Sequence, residues 1–147
     1  MDYADKIKKT FNDFDGRNSE VLNGFYEENV IFIDPVLRVQ GLDSLKKYYF
    51  HTYSNVRSIR FEFGEMIVEK NRINAPWTMD LAVKGLNRGD PFKVQGCSNF
   101  EFNGEGKVIF HRDYVDLGAM VYERLPLQGK VISLIKRMLR HGVGEPS

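Results

Sequence analysis

The stretch Val30–Tyr49 reads VIFIDPVLRVQGLDSLKKYY, and its order decides the fold. β-branched and aromatic residues run to a single carboxylate, Asp34, and Pro35 stops the run at once. Such a run favours a strand, and proline cannot continue its ladder. A short loop to Gly41 follows, and a helix starts at Asp43. It carries Leu45, Tyr48, Tyr49 and Tyr53 at three- and four-residue steps, one face of a helix. Asp34 thus stands at the mouth end of strand one (Val30–Asp34), between sheet and helix, where burial can tune an acid for proton transfer. Asp-Pro is also an ordinary turn pair, and on spacing alone the turn is the commoner use.

Upstream, Ile7, Phe11 and Phe14 mark one face of a helix over residues 2–14. Asp15 to Asn18 break it. Ser19 is a good N-cap, and Val21, Leu22, Phe25 and Tyr26 suggest a second, short helix. Downstream, the period becomes two from Arg57 to about residue 116. Residues 57–70 read as one strand with Ile59, Phe61 and Phe63 on its dry side. The next strand alternates Trp77, Met79, Leu81 and Val83, with Pro76 marking a bulge or an edge near its start. FKVQGCSNFEF, the Asn103–Gly106 hairpin turn and KVIFHRDYVD complete a meander. Helices on one face of a bent antiparallel sheet make an α+β chain. A strongly curved sheet closed by helices leaves a conical cavity.

Composition narrows the function. The 147 residues suit one domain with a single core. The 11 Phe and 7 Tyr exceed what a minimal core needs and suit a thick core or an apolar cavity. A net charge of +1 offers no field to gather nucleic acid, so no such partner is expected. One cysteine, Cys97, excludes an internal disulfide and a Cys-based zinc site. The opening MDYADKIKKT lacks a secretory h-region and no run approaches a membrane span, so the expectation is a cytoplasmic protein.

VIFIDPV followed by a G-x-x-x-L-x-x-Y-Y helix resembles the corresponding stretch of ketosteroid isomerases. NFEFNGEGKV, residues 99–108, is similar to that family's final hairpin. Over residues 3–120 the element order resembles the NTF2-like superfamily, which includes SnoaL-like polyketide cyclases. The resemblance implies an NTF2-like cone, with a curved antiparallel sheet around an apolar cavity closed by N-terminal helices. It also implies a homodimer through the sheet's outer face. The fold hosts isomerases, dehydratases, epoxide hydrolases, cyclases and binding domains alike.

Residue by residue, the resemblance places Asp34 at the isomerases' general base, which in those enzymes works with an oxyanion hole of Tyr and protonated Asp. That tyrosine position falls here at Thr10 or Phe11, and that Asp position falls at Ser98, a weaker donor. Tyr49 matches a second tyrosine of the isomerase network. SnoaL-like cyclases are similar in carrying an acid on the late strand. Alternation sets Ile109, His111, Asp113 and Val115 on one face, so Asp113 is the second candidate carboxylate. Its bland alternative is an ion pair with Arg112 or another surface cation. His111 can shuttle a proton, orient Asp113, or be a satisfied structural histidine. Trp77, Met79, Tyr48, Phe11, Phe100 and Val115 are cavity walls or plain core. Two carboxylates and one imidazole could hold a metal, but no further ligand pattern supports one. Neither a metal nor a cofactor is expected.

These residues suit a cofactor-independent acid/base enzyme of isomerase, cyclase, dehydratase or hydrolase type. Asp34 or Asp113 would take a proton next to a carbonyl of a small apolar molecule, or activate water. Ser98, Tyr49 or His111 would meet the developing oxyanion. The competing reading is a non-catalytic module that holds an apolar ligand or mediates dimerisation.

Residues 121–147 are expected to form a helical extension of the domain at 1–120. Over Gly129–His141, Val131, Ile132, Leu134, Ile135, Met138 and Leu139 take one side, with Lys130, Lys136, Arg137 and Arg140 mostly on the other. Such a helix more often packs its apolar side on its own domain or a partner subunit. A basic face opposite an apolar one can instead lie on an anionic membrane surface.

Overall fold

The computed structural model describes residues 2–116, 118, 134, 135 and 137–140. The expected helix at 129–141 therefore falls partly outside the described residues. Helix α1 (Tyr3–Asp13) begins where the Asp2 carboxylate accepts from the Asp5 N–H, satisfying one of the free donors of the first turn. Gly16 follows with φ +91°, and a Cβ there would stand 2.4 Å from Tyr53 Cβ. Only glycine fits this approach.

The second helix is shorter than its sequence suggests. Helix α2 covers only Glu20–Asn23, and strand β1 (Tyr26–Ile33) begins four residues ahead of the expected Val30. Tertiary pairing overrides the helical spacing here. Tyr26 pairs with Val108, and the Val108 N–H bonds to the Phe25 carbonyl. The register then shifts before Ile31. The expected loop to Gly41 also holds a short strand, β2 (Arg38–Gln40), paired antiparallel with β1. Helix α3 (Leu42–Tyr53) starts behind Gly41, one residue before Asp43.

Residues 57–70 form two strands where one was expected: β3 (Val56–Phe63) and β4 (Ile67–Glu69). Both pair with β5 (Arg72–Val83). Between the Phe63–Trp77 and Ile67–Asn74 pairs, residues 64–66 stand against Ala75 and Pro76. Pro76 has no N–H to give, and its carbonyl accepts from Gly64 at 2.9 Å. The proline thus marks a bulge in the neighbouring strand.

Strands β6 (Phe92–Phe102) and β7 (Val108–Val115) complete a sheet in the order β2-β1-β7-β6-β5-β3. Its joins are antiparallel except one, since β1 runs parallel to β7. A bulge at Ile109 corrects the expected alternation of β7. Phe102 pairs with Val108 and Glu101 with Phe110, so Val108, not Ile109, enters the core beside His111. One core cluster joins the helices to the sheet through Ile7, Leu22, Leu45, Phe100 and Phe102. The other, around Trp77, Met79 and Val94, is built from strand residues. Among the described residues no helix is long and apolar enough to cross a membrane.

Candidate functional site

A cavity of about 690 Å³ opens between α1, α3 and the inner face of the sheet. The six expected wall residues, Phe11, Tyr48, Trp77, Met79, Phe100 and Val115, all border it. Asp34, Tyr49, Ser98, His111 and Asp113 border it too. Among the described residues no Lys or Arg lines it.

Sheet register brings the polar residues together. In the β6–β7 ladder Ser98 stands opposite Asp113 and Phe100 opposite His111. Across the parallel join, Phe32 pairs with His111 and Ile33 with Arg112, so Asp34 ends beside Asp113 on the same face. Trp77 pairs with Gly96, where a Cβ would lie 2.3 Å from the indole. The bare glycine lets the ring cross the strand, and its Nε1–H reaches Ser98 Oγ at 2.8 Å.

A continuous hydrogen-bonded chain results. Ser98 Oγ donates to Asp113 Oδ1 at 2.5 Å, and His111 Nε2 meets the same oxygen at 2.6 Å. His111 Nδ1 lies 2.7 Å from the Tyr26 hydroxyl, which lies 3.0 Å from the Tyr49 hydroxyl. A carboxylate only accepts, so Nε2 carries the proton. In the neutral imidazole Nδ1 then accepts from Tyr26, and Tyr26 accepts from Tyr49. Burial raises the pKa of both phenols well above the ordinary tyrosine value, so each stays protonated at neutral pH. His111 is 1% exposed and Asp113 24%. The carboxylate therefore reaches the cavity from an anchored base. Among the described residues nothing bonds its Oδ2.

Asp34 makes the turn and also borders the cavity. Its Oδ1 accepts from the Val36 and Leu37 N–H groups at 2.8 and 3.0 Å, which is the turn. Its Oδ2 accepts from the Tyr48 hydroxyl, which faces the cavity. Burial, the hydrogen bond to Asp34 and the charges of Asp34 and Asp113 together raise the Tyr48 pKa. Burial also raises that of Tyr53, another residue on the cavity wall.

The alternative partner for Asp113 is not used. Arg112 points to the other face, its guanidinium 4.8 Å from the centre of the Tyr114 ring. Among the described residues no group of three or more His, Cys, Asp and Glu side chains could hold a metal ion. Sequence reasoning missed Tyr26, which it gave to a helix, and the polar role of Tyr48. A usable signal existed: Tyr26 is in even spacing with Val30, Phe32 and Asp34, but Glu27-Glu28-Asn29 interrupts the apolar pattern.

Residues 7–111 match the family of the SnoaL-like domain. No curated protein matches the chain. Among solved structures, an NTF2-like protein of unknown function from Burkholderia pseudomallei K96243 is 16% identical, with a TM-score of 0.71, over 82% of this chain and 95% of that one. A candidate SnoaL-like polyketide cyclase from Jannaschia sp. CCS1 is 15% identical, with a TM-score of 0.71, over 80% and 88%. A protein with a ketosteroid isomerase-like fold from Catenulispora acidiphila DSM 44928, in complex with trimethylamine, is 14% identical, with a TM-score of 0.70, over 84% and 91%. At these identities the likeness is one of fold.

Proposed function

The chain belongs to the SnoaL-like family, and on that premise we propose that its cavity is the active site of a cofactor-independent acid/base enzyme. The substrate is a small apolar molecule with a carbonyl, and the reaction is a proton transfer next to that carbonyl, as in isomerisation, cyclisation or dehydration. The observation that carries the reading is the Asp113 carboxylate. Two donors hold its Oδ1, while Oδ2 stays uncommitted at the wall of an apolar cavity.

Oδ2 takes the proton from carbon, and the developing enolate oxygen needs a donor. The Ser98 hydroxyl is turned to Asp113 and that of Tyr49 to Tyr26, so both act through their neighbours. Tyr48 borders the cavity but donates its proton to Asp34 Oδ2, so it is the candidate oxyanion partner only by turning that proton from Asp34 to the substrate oxygen. His111 is a positioning residue: its Nε2–H fixes the rotamer of Asp113. A homodimer through the sheet's outer face, which rests on the resemblance alone, and a cytoplasmic location, which rests on the sequence alone, belong to the same reading.

The test is exchange of carbon-bound hydrogen for solvent deuterium in a panel of enolisable apolar ketones, followed by NMR. Exchange above the buffer rate that disappears in Asp113→Asn supports the reading. No exchange in any ketone by a folded chain that retains an apolar ligand in mass spectrometry would favour a carrier. The commitment of the Ser98, Tyr48 and Tyr49 hydroxyls to neighbours speaks for that second reading.

A further inference from the structure

A second surface is formed by described residues that do not line the cavity. Residues 134, 135 and 137–140 are helical. Leu134, Ile135, Met138 and Leu139 fall on one stripe of that helix, by their spacing of one, three and four. They are 52, 51, 66 and 71% exposed. Four large aliphatic side chains left in water along one stripe mark a contact surface. Arg137 and Arg140 are exposed on the same short segment, and among the described residues neither is in a salt bridge.

Charge decides which partner fits. Residues 129–141 read GKVISLIKRMLRH and hold four of the chain's 21 Lys and Arg, with none of its 20 Asp and Glu. The remainder of the chain is therefore net acidic. A nucleic acid would satisfy the cations but leave the aliphatic stripe in water. A second copy of the helix could cover the stripe, but it would leave the cations on the opposite side without an anionic partner. An anionic bilayer surface satisfies both features. Its headgroup phosphates receive the cations, and the boundary with the acyl chains receives the stripe.

We propose that this C-terminal segment docks the protein on anionic lipid surfaces, lying in the interface plane without crossing the bilayer. Docking is independent of what the cavity does. It predicts that the whole protein partitions between water and membrane according to lipid charge and ionic strength.

The experiment is co-sedimentation of the full-length chain with vesicles of phosphatidylcholine alone and of phosphatidylcholine with about 30% phosphatidylglycerol, a fraction chosen to give a strong surface potential. The expected result is at least about ten-fold tighter partitioning to the anionic vesicles, weakened by high salt. The double variant Arg137→Glu, Arg140→Glu should lose about ten-fold or more, and Met138→Asp with Leu139→Asp should lose binding altogether. The wild-type comparison of lipid composition and salt needs no variant to fold. Equal partitioning to both vesicles overturns the proposal. So does the absence of vesicle binding in a dimer that Met138→Asp dissociates, or a preference for a duplex oligonucleotide over vesicles.

Discussion

The Tyr26 hydroxyl stands 2.7 Å from His111 Nδ1, and both residues are almost fully buried, each 1% exposed. They come from opposite ends of the sequence and meet because β1 and β7 run parallel, side by side. Tyr26→Phe keeps the ring and removes the donor, leaving Nδ1 unsatisfied in a dry core. The expected loss of stability is about 1–3 kcal/mol, the cost of an unpaired buried polar group, measured by urea unfolding. A purely packing role for Tyr26 predicts no change at the imidazole. The positioning role predicts altered ¹⁵N shifts of His111, as the tautomer bias is lost.

Asp34 and Asp113 sit side by side but are held differently, and their substitutions should separate. Asp113→Asn keeps the shape and removes the base. Turnover of a ketone that the wild type processes should fall by about 10²–10⁴, the usual contribution of a general acid or base, with the thermal midpoint nearly unchanged. Asp34→Asn keeps an acceptor for the Val36 and Leu37 N–H groups and should cost less in turnover. The reverse order in matched steady-state assays would move the proton-transfer role to Asp34.

Much of this arrangement is legible in the sequence, because the strand carrying Asp34, the hairpin after Phe102 and the helix carrying Tyr48 and Tyr49 are all local patterns. Period-two and period-3.6 spacing report what faces the core. The missing parts are non-local. No spacing rule reveals that β1 pairs parallel with β7, and that pairing turns Tyr26 from a helical residue into the partner of His111. The bulge at Ile109 is hidden for the same reason: it exists only relative to β6.

Alkaline pH should weaken the fold. Burial raises the pKa of Tyr26, Tyr49 and Tyr53, and burial with nearby carboxylates raises that of Tyr48. In the unfolded chain each ionises near the ordinary value of 10.0. The folded state therefore binds more protons above that pH, and by linkage the stability it carries below pH 10.0 declines as pH rises beyond it. Urea midpoints measured upward from neutral pH should fall past that point. The fall should be shallower in Tyr49→Phe. An identical slope in that variant would assign the loss to other groups.

Gly96 and Trp77 give the sharpest steric prediction. A methyl group at position 96 would lie 2.3 Å from the indole, against a ring packed among Phe61, Met79 and Val94. Gly96→Ala must push the indole off the strand, costing about 1–3 kcal/mol as an overpacked core does. It should also break the 2.8 Å bond from Nε1 to Ser98, freeing Ser98 Oγ to turn away from Asp113. Tryptophan fluorescence reads the first effect directly, since this is the chain's single Trp. Loss of deuterium exchange beyond what the stability change explains would tie the glycine to Asp113, the proposed base, two hydrogen bonds away. A fluorescence spectrum and exchange rate like those of the wild type would show that the indole has room to move.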